Sequence, residues 1–266
     1  MNFNTYKEQT YENIKKIENS NCKNLIELTI ENFQRYANFF RKVKESFKEK
    51  VSVKEETLNE MTMYSTFLVD STLKSTLVND YIGAEIDIRV LNDFYIKYLF
   101  ILYGDNYVSE TYQDYKKLSK YNNLIEKNKE IPYKLQLEYN EISKKYSNLS
   151  DDYWIKLALD HLDKTSKHDK SLKAITNWLE GNNLLMDKVD GFIIPKNFKG
   201  EVDLQTYLVP FDDTSDFKKI YLPILARLNY IMCFVIYKFM NCYTEYKDDE
   251  IIKKMFDNLN YFEENK

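Results

Sequence analysis

The stretch "GAEIDIRVLNDFYIKYLFILYG", Gly83 to Gly104, decides the fold. Ile88, Leu91, Tyr95, Leu99 and Leu102 recur in it at three- and four-residue steps, the period of a helix with one buried side. Its second half is almost wholly apolar, as expected of a helix inside a core. Its first half also carries Glu85, Asp87, Arg89 and Asp93. Glu85, Arg89 and Asp93 stand four residues apart, share one stripe and can pair along the helix. A charge at the edge of a core must be paired or it costs several kcal/mol. The stripe therefore reads in two ways, as an ion pair that orients neighbouring helices or as one wall of a polar cleft.

Outward from this helix, the chain of 266 residues has only five Gly and four Pro. A β-rich chain would need many more turn residues to link its strands, so long helices follow. The expected fold is all-α, an irregular multi-helix bundle forming one helical domain over 1–266. With 44% hydrophobic and 30% charged residues, the chain can both bury a core and remain in solution. A formal net charge of −4 supplies no global basic field for nucleic acid or membrane phosphate.

Upstream, Ile26, Ile30, Phe33, Ala37, Phe40 and Phe47 fall at helical spacing between 21 and 50, beside the basic run "RKVKESFKEK". That run reads as a solvated face, with RNA binding as the alternative. A second helix is expected from Lys54 to Val78, where "MTMYSTFLVDSTLKSTLV" sets three Ser-Thr pairs among apolar residues. Either those hydroxyls allow close packing or they form a polar seam.

Downstream, "NYVSETYQDYKKLSKYNNLIEKNKE" and the helix restarted by Pro132 predict a protruding helical hairpin over 105–148 with a tyrosine-rich inner face. "LSDDYWIKLALDHL" and "KSLKAITNWLEG" predict further helices. Three Gly and two Pro between Gly181 and Pro210 predict a long loop over 181–214, with room for a small β-hairpin made by "GFII" and "TYLV". "IYLPILARLNYIMCFVIYKFMNCY", Ile220 to Tyr243, is apolar enough for a membrane span. Arg227 and Asn229 inside it favour a buried core helix instead. An acidic helix closes the chain.

Cys22, Cys233 and Cys242 have neither disulfide nor zinc spacing, and "MNFNTYKEQTYENIKK" holds no apolar run of signal-peptide type; a reducing cytosol fits both. Of 38 basic residues only Arg35, Arg41, Arg89 and Arg227 are arginine, the mark of an AT-rich genome such as that of a bacterium or its phages. No phosphate-loop, dinucleotide, zinc-protease or serine-hydrolase motif is present. The two histidines, His161 and His168, lie among Asp160, Asp163 and Asp169, too few and too loosely spaced for a metal site. Each could serve as acid or base if given a polar partner. Arg227 has no neutralising neighbour in sequence, so a cross-helix pair with Glu85 or Asp93 is expected of it.

"IRVLNDFYIKYLFIL" resembles the Arg-x-x-x-Glu helix and apolar run of the bacterial domain of unknown function 5677. "TSKHDKS" is similar to that family's Ser-to-His element. The resemblance spans about Ser71 to Trp178 and puts Arg89, Asp93 and His168 in one residue set, Asp93 standing where Glu is usual; it implies no reaction, and the three are the candidate catalytic residues if the chain is a hydrolase. Glu85, Arg227, Ser166 and His161 would be the binding residues around them. A broader likeness to HEPN-type helical proteins implies a defence or stress setting, although the Arg-x(4–6)-His motif of their ribonucleases is absent. The resulting expectation is a cytosolic bacterial or phage binding or regulatory module, without cofactor or metal. A protein partner or a second copy is expected and no membrane; a hydrolase acting on RNA is the alternative.

Overall fold

Few helix breakers and sustained helical periodicity produce the expected class. The computed structural model describes residues 20–46, 51–78, 80–146, 154 and 214–264. Helices make up 90% of the described residues, and no strand occurs among them. They are α1 (Ser20–Ser46), α2 (Val53–Leu77), α3 (Tyr81–Tyr103), α4 (Asn106–Glu126), α5 (Tyr133–Lys145), α6 (Thr214–Cys242) and α7 (Asp249–Glu264), with a 3₁₀ turn at Thr244–Tyr246. The expected long loop and its hairpin, 181–213, lie outside the described residues, as do the helices expected between 155 and 181.

The chain divides into two compact units, and the division falls inside α2 and α3. The first holds α1, α2 from Thr62, α3 to Tyr95, α6, the 3₁₀ turn and α7. In α1 the buried positions Cys22, Leu25, Thr29, Asn32, Tyr36, Phe39 and Val43 alternate steps of three and four, a seam of coiled-coil type. The stripe expected from the sequence is turned about one residue from this: Ile30, Phe33 and Ala37 are only half-buried. Phe40 packs edge-on against Phe39 and Phe239, and Tyr243 stacks on Phe239 at 4.7 Å. Met255, Leu259 and Phe262 carry α7 into the same core.

Two polar residues interrupt the α1 seam, and α6 supplies their partner. Asn229 donates through Nδ2 to Thr29 Oγ1 and to the Leu225 carbonyl, both at 2.8 Å, and accepts from Asn32 Nδ2 at 2.8 Å. Asn32 Oδ1 in turn accepts from Asn258 Nδ2 of α7 at 3.0 Å and from Arg35 at 3.1 Å. Thr29, Asn32 and Asn229 are fully buried, and every polar atom of the Asn229 amide has a partner. Three helices are thereby fixed in rotation and height by one set of bonds. Close by, burial pushes the Cys233 thiol up to about 12, and its Sγ donates to the Met255 carbonyl. It is a core thiol, protonated at any physiological pH.

The second unit holds the start of α2, the end of α3, α4, α5 and Trp154. Asp105 caps α4 by accepting from the amides of Tyr107 and Val108. The Lys54 ammonium donates to the Gly104 carbonyl at 2.7 Å. Burial alone would raise the Glu60 carboxyl, but hydrogen bonds from Lys116 and Gln113 outweigh it and hold it below the usual range. Trp154 is fully buried against Phe100, Tyr112 and Tyr115. Helices α4 and α5 pair as the expected hairpin, with Tyr121 stacked on Tyr139 at 3.9 Å on its inner face and Lys145 paired with Asp114 at 3.0 Å. At the turn, Asn128 takes φ 49°, its amide bonds the Ile125 carbonyl and the Lys129 amide bonds the Leu124 carbonyl. This is a Schellman ending, with Asn where Gly is commonest.

Two outcomes test these assignments. Asn229→Leu takes from the buried Asn32 Nδ2 its acceptor and should lower stability by about 2–4 kcal/mol in urea unfolding. The Asn32→Leu/Asn229→Leu double variant should cost less than the sum of its singles; simple addition would show the two residues to be uncoupled. At the hairpin turn, Asn128→Ala should cost about 1 kcal/mol and Asn128→Gly less than half of that, because only the alanine is strained at positive φ.

Candidate functional site

The Glu85–Arg89–Asp93 stripe is built from the start of α3. Asp80 accepts the Gly83 amide at 2.9 Å and caps the helix. A Cβ on Gly83 would lie 2.3 Å from Asp80 Oδ2 and 2.9 Å from Ser75 Oγ, so the cap requires glycine there. One turn on, Arg89 Nε donates to Glu85 Oε1 at 3.3 Å, and both side chains are largely covered, 26% and 16% exposed. Asp93 is half-buried a further turn along. The charges thus sit at the border of the core, where the sequence places them, with Ile88, Leu91 and Tyr95 on the buried side.

His161, Ser166 and His168 lie outside the described residues, so the expected approach of His168 to Arg89 falls there too. Arg227 needs a correction. It is exposed, and among the described residues it has no ion pair, so it does not pair with Glu85 or Asp93. The reason is the geometry of α6. That helix is covered on nearly every side, and its narrow outer stripe runs through Pro223, Arg227, Tyr230, Phe234 and Tyr237 at steps of three and four. Arg227 interrupts an apolar sequence because it lies on that stripe. Tyr221–Cys242 is the one described segment long and apolar enough to cross a membrane, and 67% of it is buried inside the protein.

A second surface was hidden from sequence reasoning. In the first unit α2 buries Thr62, Ser65, Leu68, Val69, Thr72, Leu73, Thr76 and Leu77, so hydroxyls occupy about half of its inner positions. Ser65, Thr72 and Thr76 donate to carbonyls of their own helix at 2.8 Å, and Ser65 also meets the buried Tyr36 hydroxyl at 2.6 Å. The hydroxyls therefore serve close packing, the plainer of the two readings of this segment. The large apolar residues of the same stretch point the other way. Met63, Tyr64 and Phe67 are 56%, 53% and 64% exposed and lie within one turn.

The C-terminal part of α1 lies beside this face, with Lys44 Nζ 3.6 Å from Met63 Sδ. Arg41, Lys42 and Lys44 are all exposed there, and none has an ion pair among the described residues. A separate exposed set, Ile125, Tyr133 and Leu137, belongs to the α4–α5 hairpin. No group of His, Cys, Asp or Glu suited to a metal ion occurs among the described residues. Compared with known families, curated proteins and solved structures, the chain matches none.

Arg227→Met should therefore leave stability within about 0.5 kcal/mol of the parent, and Glu85→Gln should cost about 1 kcal/mol or less. Thermal unfolding checks both. A loss of several kcal/mol at Arg227 would restore the buried pair.

Proposed function

We propose that the chain is a binding and regulatory module whose contact surface is the outer face of α2, acting in the defence or stress setting implied by the HEPN-like resemblance. One observation carries the reading. Along α2 hydroxyls take half of the inner positions, Thr62, Ser65, Thr72 and Thr76 beside Leu68, Val69, Leu73 and Leu77, while Met63, Tyr64 and Phe67 face outward. Burying an exposed Phe or Met is worth about 1.5–3 kcal/mol, and exchanging it with an inner Thr would gain that on folding alone. A folded chain that forgoes the gain keeps the apolar side chains for a surface that something else covers.

A hydrolase acting on RNA would draw on Arg89 as the charge-stabilising group and His168 as the proton carrier. Arg89 is already held by Glu85, and the near-neutral net charge lacks the basic surface that binds long RNA. Binding is the better supported of the two.

A photocrosslinking side chain placed at position 67 should yield one discrete adduct in cells producing the chain. Excess wild-type chain should suppress that adduct, and excess Phe67→Ser chain should not. Diffuse labelling, or equal suppression by both, would remove α2 as the contact surface.

A further inference from the structure

We infer that the occupant of the α2 face is an acidic amphipathic helix of a partner protein. The inference rests on the binding reading and adds the partner's chemistry. Met63, Tyr64 and Phe67 fall within five residues, four steps or about 6 Å along the axis, just over one helical turn. Such a patch matches a helix that lays anchors at i, i+3 or i+4 and i+7 beside α2. It is small for a bilayer, where binding grows with the apolar area inserted.

Charge decides the rest. Lys44, beside Met63, and Arg41, one turn earlier on the same side of α1, border the patch; of the described carboxylates nearby, Glu45 is exposed next to Lys44, and Glu60, three residues before Met63 on α2, is engaged by Lys116. On the patch's own helix Asp70 is already engaged by Lys74. The macrodipole of α1 accounts for Lys44 in its last turn, but it fades before Arg41. The Lys44 ammonium lies beside the Met63 sulfur, and among the described residues no carboxylate pairs with it. A helix whose apolar stripe covers Phe67 and Met63 would set its flanking residues against these cations. Carboxylates are the complement, because like charges facing each other cost several kcal/mol and are rejected. Single-stranded RNA would use the cations but would leave the Met63 and Phe67 side chains without an apolar counterpart.

The test uses the full chain and two synthetic amphipathic peptides of about 18 residues, long enough to form helix alone. They share one Leu/Phe stripe and differ in having Glu or Lys on its flanks. Fluorescence anisotropy at low salt should show the Glu-flanked peptide binding about tenfold tighter than the Lys-flanked one. Arg41→Glu/Lys44→Glu should reverse that order, and Phe67→Ser should abolish both. All the altered side chains are exposed, so an unchanged thermal midpoint confirms that the variants fold. Equal binding of both peptides, lost with Phe67→Ser, would overturn the acidic partner and leave the binding face standing. Binding of neither peptide would overturn the inference, as would binding that Phe67→Ser leaves intact. So would tighter binding of phosphatidylserine vesicles or an RNA oligomer at the same residues, or self-association of the chain that Phe67→Ser removes.

Discussion

The hydrogen bond between the amides of Asn32 and Asn229 is the constraint on which the first unit depends. Apolar side chains fill a seam between helices in many rotations and offsets, because their attraction has no direction. A buried amide has only a few acceptable arrangements, and each wrong one leaves a polar group unpaired at about 1–3 kcal/mol. Asn229 reaches Thr29 and Asn32 on α1, and Asn32 reaches Asn258 on α7. Sliding α6 against α1 by one turn would break both bonds of Asn229 to α1 together. Selection of one packing, more than added stability, is what such a cluster contributes to an otherwise apolar core.

Beside α1, α6 and α7, α2 is held by Leu68, Val69, Leu73 and Leu77 together with buried hydroxyls. Tyr36 of α1 meets Ser65 of α2 through their hydroxyls inside the seam, and burial raises the Tyr36 phenol far above its ordinary range. That tyrosine stays a neutral hydrogen-bonding group. Inner Thr and Ser side chains bond their own backbone, so they can be buried without partners on another helix. Helix α2 is therefore free to carry Met63, Tyr64 and Phe67 outward. The polar core and the apolar surface are two sides of one arrangement.

Much of the fold was legible in the sequence because helical period and the scarcity of Gly and Pro are local properties. The helices around 21–50, 54–78 and 83–104, the hairpin and the apolar helix near 220 all stand within a few residues of their expected bounds. Which face each buries was harder to read. In α1 the stripe through Ile30 and Phe33 looks better than the true one, since Thr29 and Asn32 occupy core positions and only a partner 200 residues away makes that acceptable. Asn229 was visible as an oddity in an apolar helix, and Asn32, four residues before Tyr36 and three after Thr29, was not. Arg227 drew attention for the same reason as Asn229, yet the two lie on different sides of α6. Two residues along a helix turn a side chain by about 200°, so neighbours in sequence can have opposite fates.

The charges on the first half of α3 follow from the same geometry. Up to Tyr95 the helix buries one side, through Ala84, Ile88 and Leu91, and from Ile96 to Leu102 only Lys97 is not buried. A helix that changes from one covered side to cover all round cannot carry charges in its later part, so Glu85, Arg89 and Asp93 end where full burial begins. The Arg89–Glu85 bond keeps the guanidinium along the helix surface, where a lone arginine at a core border would have to reach for solvent. Such a pair contributes little stability and needs no function to explain its spacing. The exposed face of α2 is different in kind: its side chains would be more stable inside, and nothing in the packing of their own helix requires them to be where they are.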